Sequence, residues 1–322
     1  MSSTLDLLCL GEMLIDFVPE PAGRSLSQVK KLALAPGGAP ANVAVAARRL
    51  GLKTGFIGKV GDDPFGRLLR EVLIRQQVDL TLFRLTRDSL TRLAFVTNDP
   101  NERQRFVFYG DPGADVLLRP EDLRAGYLKS ARTLHFGSIS LIREPSRSAT
   151  LAAAEIARKF GLVLSFDPNL RPMLWPGLRE AKRQILDALK FCDVLKLSDS
   201  EWEFLFPGRK FPAGLDTLWK AGIKLVAMTL GANGAVMASR QAHVKVDSLP
   251  VKVVDTTGAG DGFMAGLIHG FLHKGTLNLD ESDLLELAKL AVVVGSLTCK
   301  RAGAIPAFPT MQGVMRHLRH QM

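Results

Sequence analysis

Short apolar runs alternate with amphipathic segments through most of this 322-residue chain. The apolar runs have the length and composition of strands that are buried on both faces of a sheet. The predicted strands are residues 5–10, 54–57, 133–136, 162–166, 194–197 and 224–230. The predicted helices are residues 41–50, 64–77, 146–160, 178–189, 199–206, 284–298 and 311–322. This alternation predicts an α/β fold, a doubly wound and mostly parallel sheet with helices on both faces.

Two regions interrupt this alternation with strand-like sequence and no intervening helix. They are residues 13–34 and 90–109, and the second contains the alternating stretches 92–96 and 104–108. Such alternation predicts strands with one exposed face, which the residues alone would place in hairpins at the edge of the fold. The chain length allows either one large α/β domain or two smaller ones.

The loop at residues 255–261 reads Asp-Thr-Thr-Gly-Ala-Gly-Asp and is followed by an apolar run of helical character. Free N–H groups at the start of a helix form an anion site. A carboxylate at such a site, here Asp261, is suited to take a proton from a hydroxyl group while amides hold a transferring phosphoryl group. The plain alternative is a glycine-rich turn capped by an aspartate. The loop matches neither G-x-x-x-x-G-K-[ST] nor G-x-G-x-x-G.

A second glycine motif lies far upstream, where Gly37 and Gly38 precede Asn42 at the start of a predicted helix. This segment resembles the first signature of the ribokinase-like (pfkB) carbohydrate kinases, and the loop at 255–266 resembles the second. The order and separation of the two signatures also fit, and the resemblance runs from about residue 5 to about residue 309. Within the family, the fructokinases are most similar. The segments that carry this similarity are residues 11–17, 35–42, 58–63 and 165–171.

The resemblance implies a single ribokinase-like kinase domain over residues 1–322. In it, segments of about 12–35 and 88–112 would form a small β-sheet lid over the sugar. It implies an ATP-dependent sugar kinase, a fructokinase that converts D-fructose to fructose 6-phosphate, with ATP and Mg²⁺ as cofactors. A K⁺ ion and a homodimer through the lid sheets are further expectations, the second because an exposed sheet edge invites pairing.

The resemblance also gives roles to individual residues. For catalysis it implies Asp261 as general base, the amides of Gly258, Ala259 and Gly260 as an anion hole, and Arg171 as a phosphate brace. The expected sugar-binding residues are Asp16, Gly37, Gly38, Asn42 and Asn169. The expected nucleotide-binding residues are Ser198, Thr229, Gly231, Gly234 and Gly260. The expected metal-binding residues are Glu201, acting on Mg²⁺ through water, and Asp255, Thr257, Arg301 and Gly303, forming a K⁺ site.

Several of these residues also have a plain structural interpretation. Ser198 stands where the family has Asn, and with Glu201 it forms the Ser-x-x-Glu pattern of a capping box that opens a helix. Asp16 fits an exposed turn, Arg171 fits a surface ion pair, and residues 229–235 fit a simple strand–turn–strand connection. The residues alone leave both interpretations open.

The formal net charge is +10, from 42 basic and 32 acidic residues. Such an excess is compatible with nucleic-acid binding or with attraction of an anionic nucleotide. The basic residues are scattered and aromatic residues make up only 7% of the chain, which disfavours a nucleic-acid partner. There is no signal-peptide pattern and no apolar run of about 20 residues, so no membrane partner and a cytoplasmic location are expected. The widely spaced Cys9, Cys192 and Cys299 are interpreted as buried free thiols.

Two alternative functions stay open. Lid residues decide the substrate and the family motifs constrain them little. A kinase for 2-keto-3-deoxygluconate, ribose, a nucleoside or aminoimidazole riboside is therefore the alternative within the family. A catalytically silent sugar or nucleotide sensor is the alternative of another class, and the intact loop at 258–261 argues against it.

Overall fold

The computed structural model describes residues 4–20, 28–97 and 105–319. Residues 21–27 and 98–104 of the two predicted lid segments lie outside the described residues, as do residues 320–322 of the predicted last helix. Among the helices described, none is both long enough and apolar enough to cross a membrane.

The larger of two sheets has nine strands, which include all six strands predicted from apolar runs. In sheet order they are β13 (His243–Val246), β12 (Ala235–Ser239), β11 (Leu225–Thr229), β10 (Val194–Ser198), β9 (Val163–Phe166), β8 (Ala131–Phe136), β1 (Leu5–Leu10), β4 (Thr54–Gly61) and β5 (Phe83–Thr86). Only β12 runs antiparallel to its neighbours. The parallel strands therefore end on one common edge, where ligands bind in folds of this kind.

Eleven helices are described, and the predicted α/β class is confirmed by their arrangement around the sheet. They are α1 (Ala39–Arg49), α2 (Pro64–Arg75), α3 (Ala125–Leu128), α4 (Ser146–Lys159), α5 (Leu178–Ala188), α6 (Asp199–Leu205), α7 (Phe211–Lys220), α8 (Ala259–Lys274), α9 (Glu281–Thr298), α10 (Ala304–Ala307) and α11 (Met311–Arg319).

The hydrophobic core is divided between the two faces of the sheet. Side chains alternate along a strand, so Leu7 and Cys9 of β1 join the cluster that contains α1, α8 and α9. Leu8 and Leu10 join the cluster that contains α4, α5 and α7. Burial of each such leucine stabilises the fold by about 2 kcal/mol. Burial on both faces explains why the central strands read as continuous apolar runs.

A smaller sheet of four strands lies apart from the main one. Its order is β3 (Lys31–Gly37), β2 (Leu14–Glu20), β6 (Leu93–Thr97) and β7 (Arg105–Tyr109). Phe17 of β2 stacks on Phe95 of β6 with ring centroids 4.7 Å apart, and it meets Phe65 of α2 edge to face at 5.9 Å. These contacts attach the smaller sheet to the helical layer.

A buried ion pair anchors the base of the smaller sheet. Arg92 directly precedes β6, and its Nε lies 3.0 and 3.1 Å from the two carboxylate oxygens of Asp115. Both side chains are almost fully buried, with 3% and 5% of their surfaces exposed. The more exposed Asp111 lies 3.6 Å from Nη1 of Arg92. The removal of one partner of a buried pair leaves an uncompensated charge, whereas an exposed partner contributes little.

We expect Asp115→Ala to lower the free energy of unfolding by about 3 kcal/mol, because the Arg92 guanidinium would stay buried without its main partner. Urea denaturation followed by circular dichroism measures this loss. Asp111→Ala is the matched control, and its expected loss is about 1 kcal/mol or less. Equal losses in the two variants would show that burial does not set the strength of this ion pair.

Candidate active site

A cavity of about 280 Å³ opens where the carboxyl edge of the main sheet meets the smaller sheet. Its walls carry Asp16 of β2, Asn42 of α1, Lys196 of β10 and Asp261 of α8. The loop after β9 adds Asn169 and Arg171, and β7 adds Phe106 and Phe108. The structure thus brings together residues from both glycine motifs and from four further segments. Every residue expected to bind sugar lines this cavity except Gly37, which lies directly behind Asp16.

Asp261 lies in the first turn of α8 and is buried. Its Oδ2 accepts a hydrogen bond of 2.8 Å from Nδ2 of Asn42, and its Oδ1 lies 3.4 Å from Nδ2 of Asn169. Burial raises the pKa of Asp261 to about 6, and the hydrogen bond from Asn42 acts in the opposite direction. Such a carboxylate is mostly ionised at neutral pH yet basic enough to accept a proton, as a general base requires.

The start of α8 has the backbone shape of an anion site. Gly258 caps the helix with φ of 79°, a left-handed conformation that favours glycine, and a Cβ there would lie 2.6 Å from Cβ of Ala304. The amide of Ala259 donates to the carbonyl of Thr256 at 3.1 Å. Among the described residues no backbone partner is found for the amides of Gly258 and Gly260. These two amides are therefore better placed than that of Ala259 to receive an anion.

Lys196 and Asp167 form a buried ion pair beside this loop, and neither was among the expected site residues. Nζ of Lys196 lies 2.8 Å from Oδ2 of Asp167, and it lies 3.0 Å from where a Cβ of Gly260 would stand. Burial opposes the charge on Lys196, but Asp167, Glu201 and Asp261 raise its pKa, so the ammonium stays charged. The sequence signal for Lys196 is a single charge inside the apolar strand 194–198.

The cavity wall also holds two carboxyl groups that are hard to ionise, those of Asp16 and Glu12. Burial raises the pKa of Asp16 to about 7, with Arg171 opposing it. Burial also raises the pKa of Glu12 to about 8, although Oε1 accepts from the amide of Ala39 at 2.9 Å. Within the described structure Oε2 of Glu12 has no hydrogen-bond partner. Glu12 is a third residue that the sequence interpretation missed, and its signal is an acid two residues after the buried strand β1.

Two glycines make room for these carboxyl groups. A Cβ at Gly37 would collide with Oδ2 of Asp16. Gly38 has φ of 109°, and a Cβ there would lie 2.5 Å from the carbonyl oxygen of Glu12. The glycine pair therefore lets the loop before α1 pass close to the strand that carries Asp16.

Arg171 is held by an aromatic ring of the smaller sheet. Its guanidinium lies over the ring of Phe106, with 5.2 Å between Cζ and the ring centroid, and Nη1 lies 3.3 Å from the carbonyl oxygen of Leu170. Asn169 adopts φ of 44°, which turns the chain sharply between Asp167 and Arg171. A side chain held in this way is suited to meet an anion.

A second cavity, of about 390 Å³, lies on the other side of the loop that precedes α8. Three residues of the predicted nucleotide-binding set line it, Thr229, Gly231 and Gly234, and the two glycines have φ of 57° and 81°. The remaining walls are largely apolar, with contributions from Val251, Phe263, Val292 and Cys299. Gly260 lines both cavities.

The interpretation of the cysteines needs one correction. Cys9 and Cys192 are buried free thiols as predicted, whereas Cys299 is half-buried. The reason is its position on the wall of the second cavity, which leaves part of the side chain accessible.

Ser198 and Glu201 lie together but on neither cavity wall. Oγ of Ser198 accepts from the amide of Glu201 at 3.2 Å, and Oε2 of Glu201 accepts from the amide of Ser198 at 2.7 Å. Oε1 of Glu201 accepts from the amide of Leu170 at 2.7 Å. The capping box predicted as the plain alternative is therefore present at the start of α6. The nucleotide role of Ser198 and the metal role of Glu201 stay predictions.

The residues expected at a K⁺ site are held together by one carboxylate. Oδ1 of Asp255 accepts from the amide and the hydroxyl of Thr257 at 2.9 and 2.8 Å, and Oδ2 accepts from the amide of Gly303 at 2.8 Å. Arg301 is exposed in the same loop as Gly303. Asp255 thus brings two backbone segments side by side, which is the arrangement that a site built from carbonyl oxygens needs.

Comparisons with known proteins agree with this geometry. A family model described as pfkB family carbohydrate kinase matches residues 4–311. Fructokinase-2 of Solanum lycopersicum is 42% identical over 319 residues, covering 99% of this chain and 97% of the relative. The fructokinase of Xylella fastidiosa with bound ATP superposes with a TM-score of 0.90 at 31% identity, covering 98% of each chain. A double mutant of the Vibrio cholerae fructokinase with bound fructose, ADP and potassium ion gives 0.87 at 33% identity, covering 98% of this chain and 99% of that one.

The raised pKa of Glu12 makes stability depend on pH. Because the folded-state pKa of about 8 exceeds the ordinary value of 4.5, this group stabilises the fold fully below pH 4.5 and loses that contribution as pH rises through 8. A glutamine at position 12 cannot ionise. We therefore expect the free energy of unfolding of Glu12→Gln to increase relative to that of the unchanged chain as pH rises from 5.5 to 8.5, by on the order of a few kcal/mol.

Urea denaturation at both pH values measures this gain. The exposed Glu155 gives the matched control, Glu155→Gln, for which no change of relative stability with pH is expected. A difference between Glu12→Gln and the unchanged chain that is the same at both pH values would contradict the burial argument.

Proposed function

This chain belongs to the pfkB family of carbohydrate kinases, and we propose that it transfers the γ-phosphoryl group of ATP to O6 of D-fructose. Membership of the family confirms the predicted enzyme class, a sugar phosphotransferase. One observation carries the proposal for the site: Gly260, beside the buried Asp261, lines both the polar cavity and the apolar one. An acceptor hydroxyl in the first cavity and a nucleotide phosphate from the second would meet there.

In the proposed reaction Asp261 removes the proton of the acceptor hydroxyl. The sugar oxygen then forms a bond to the γ-phosphorus while the bond from that phosphorus to the β-phosphate oxygen breaks, and ADP leaves. Asn42 and Asn169 approach different oxygens of the Asp261 carboxylate and so fix its orientation. A positioned general base of this kind contributes about 10²- to 10⁴-fold to the rate.

Negative charge on the transferring group would be stabilised by the start of α8 and by Lys196. The amides of Gly258 and Gly260 point from the positive end of the helix dipole, and the ammonium of Lys196 stands beside Gly260. Arg171 also lines this cavity and is available to the same group. Phosphoryl transfer depends mainly on positioning and on such electrostatic stabilisation.

The described residues fit the two expected metal ions to different degrees. Mg²⁺ keeps several waters and needs few protein oxygens, and when bound it neutralises charge on the ATP phosphates. Both oxygens of Glu201 already accept hydrogen bonds, which fits contact through water rather than direct ligation. Asp255 and the loops at 257 and 303 would hold K⁺, since the amides of both loops donate to that one carboxylate and so bring the two backbone segments together.

Sugar recognition would fall to the carboxyl groups of Asp16 and Glu12, which line the cavity. Asp16 can accept hydrogen bonds from two hydroxyl groups, and the unpartnered oxygen of Glu12 can take part in another. The proposal of fructose rests on the similarity to fructokinases, one of them with bound fructose. A kinase for another sugar of the family would use the same base and the same anion hole.

The lid, the assembly and the location of the protein belong to the same proposal. We propose one kinase domain in which the smaller sheet covers the sugar, because Phe106 and Phe108 of that sheet line the cavity.

Leu34 and Tyr109 lie on the outer strands of the smaller sheet and expose 51% and 56% of their surfaces, which would suit a homodimer through this sheet. A cytoplasmic location is in keeping with free cysteines.

A coupled assay of ADP release with Mg-ATP and K⁺ tests the substrate proposal. Fructose, 2-keto-3-deoxygluconate, ribose, adenosine and aminoimidazole riboside are compared, and kcat/KM for fructose should exceed the others more than tenfold. Enzymatic detection of fructose 6-phosphate distinguishes transfer to O6 from transfer elsewhere. A preference for another acceptor would overturn the substrate but keep the mechanism. Fructose binding without ADP release would favour the silent sensor.

Asp261→Asn should lower kcat by about 10²- to 10⁴-fold, since an amide cannot accept the proton. Fructose affinity, measured by titration calorimetry, should change little because the new side chain keeps its size. Asp187→Asn, at an exposed position of α5, is the matched control and should keep full activity. Turnover of Asp261→Asn near that of the unchanged chain would rule out this residue as the base.

Lys196→Met should lower kcat by about 10²-fold or more, because a buried cation beside the transferring group is lost. Asp167 would then lack its partner, so the double variant Lys196→Met/Asp167→Asn separates the two effects. If the double variant recovered stability in urea but not kcat, the charge of Lys196 would act on the reaction itself. Recovery of kcat along with stability would reduce Lys196 to a structural role.

A further inference from the structure

A third cavity, of about 720 Å³, lies at the edge of the main sheet opposite to the candidate active site. Its walls include Ala131 and Val163, where β8 and β9 begin, and Phe271 and Leu272 in the last turns of α8. The 16 residues of α8 extend over about 24 Å, so this cavity and the anion hole lie at opposite ends of one helix. None of the proposed catalytic or binding residues lines it.

The cavity has a one-sided charge. Within the parts of the chain that the structure describes, no carboxylate lines it. The basic residues on its walls are Lys129, Arg132, Lys224 and Arg240. A cleft lined by one sign of charge focuses the electrostatic potential and concentrates ions of the opposite sign.

Two of the four basic side chains are compensated from outside the cavity. Arg132 lies 3.4 Å from Asp6, and Lys224 lies 2.8 Å from Asp193. The two aspartates offset two of the four positive charges. A positive charge remains for a ligand to neutralise.

The other two, Lys129 and Arg240, have no carboxylate within 4.0 Å in the described ranges of the chain. Lys129 lies over the ring of Phe160, with Nζ 5.4 Å from the centroid, and Arg240 lies over Trp219 at 6.0 Å. Aromatic contacts hold both side chains in place without neutralising them.

We infer that this cavity binds a phosphorylated small organic molecule. Lys129 and Arg240 would bind the phosphate, because ammonium and guanidinium groups form charge-assisted hydrogen bonds with phosphate oxygens. The buried Phe271 and Leu272 give an apolar floor for the organic part, and Asn278 offers a polar group at the rim. A volume of 720 Å³ is in the range of small-molecule sites, which are about 300–1,000 Å³. This inference is independent of the proposed kinase activity.

Titration calorimetry of the full chain at physiological salt tests the inference with ribose 5-phosphate, ribose and inorganic phosphate. Ribose 5-phosphate should bind with submillimolar affinity, and ribose should not bind measurably at this site. The double variant Lys129→Ala/Arg240→Ala should weaken binding of ribose 5-phosphate at least about tenfold, because two charge-assisted contacts are lost.

The double variant Lys210→Ala/Arg70→Ala is the matched control, since it removes one lysine and one arginine from exposed positions elsewhere. It should bind ribose 5-phosphate as the unchanged chain does. Both double variants should keep the unfolding transition and the fructose phosphorylation rate of the unchanged chain. Equal weakening in both would show a general charge effect and overturn the site. Unchanged binding of ribose 5-phosphate in both double variants would place its site elsewhere and overturn the inference. Equal affinity for inorganic phosphate and ribose 5-phosphate would show that the organic part of the ligand is not recognised.

Discussion

The hydrogen bond from Asn42 to Asp261 is the contact on which the arrangement of the site depends. It joins residues 219 positions apart in sequence, one in the first turn of α1 and the other in the first turn of α8. Both helices begin directly after a glycine with positive φ, Gly38 or Gly258, and both direct their amino-terminal ends toward the same cavity. Two positive helix ends therefore surround a carboxylate that burial would otherwise disfavour. The proposed base, Asp261, is accommodated by the same backbone geometry that would receive the phosphoryl group.

The site concentrates ionisable groups where burial makes them costly. The pKa values of Glu12, Asp16 and Asp261 all lie above their ordinary values because of burial. Buried cations pair directly with a carboxylate both away from the site, where Arg92 meets Asp115 at 3.0 Å, and beside it, where Lys196 meets Asp167 at 2.8 Å. Within the described residues, Glu12, Asp16 and Asp261 have no cation within 4.0 Å, and Oε2 of Glu12 has no hydrogen-bond partner, which leaves capacity for a ligand. A cluster of buried carboxyl groups with raised pKa values in one cavity distinguishes a functional site from a stabilising network.

The sequence predicts the parts of this molecule that depend on local pattern. The strands buried on both faces were predicted because their apolar runs are continuous. β5 was not predicted, since it has only four residues, of which one is buried, and it lies at the sheet edge. Asp261, Asn42 and Asp16 are recognisable because glycine motifs or strand ends flag them. The pair of Lys196 and Asp167 is not, because it forms across β10 and β9, and a sequence does not show which strands are neighbours. The amide of Ala259 likewise looks available in sequence, while the folded turn directs it to the carbonyl of Thr256.

We propose an anion site at each end of α8. At the amino end, the free amides of Gly258 and Gly260 would attract an anion directly. At the carboxyl end, the free carbonyl groups would repel one. There Arg132 donates from Nη2 to the carbonyl of Leu272 at 2.9 Å, which satisfies one of these groups and adds a positive charge. Lys129 and Arg240 then face the cavity with their charge uncompensated. At the carboxyl end, basic side chains supply the positive potential that backbone amides supply at the amino end. Only a small share of the net charge of +10 is needed for this.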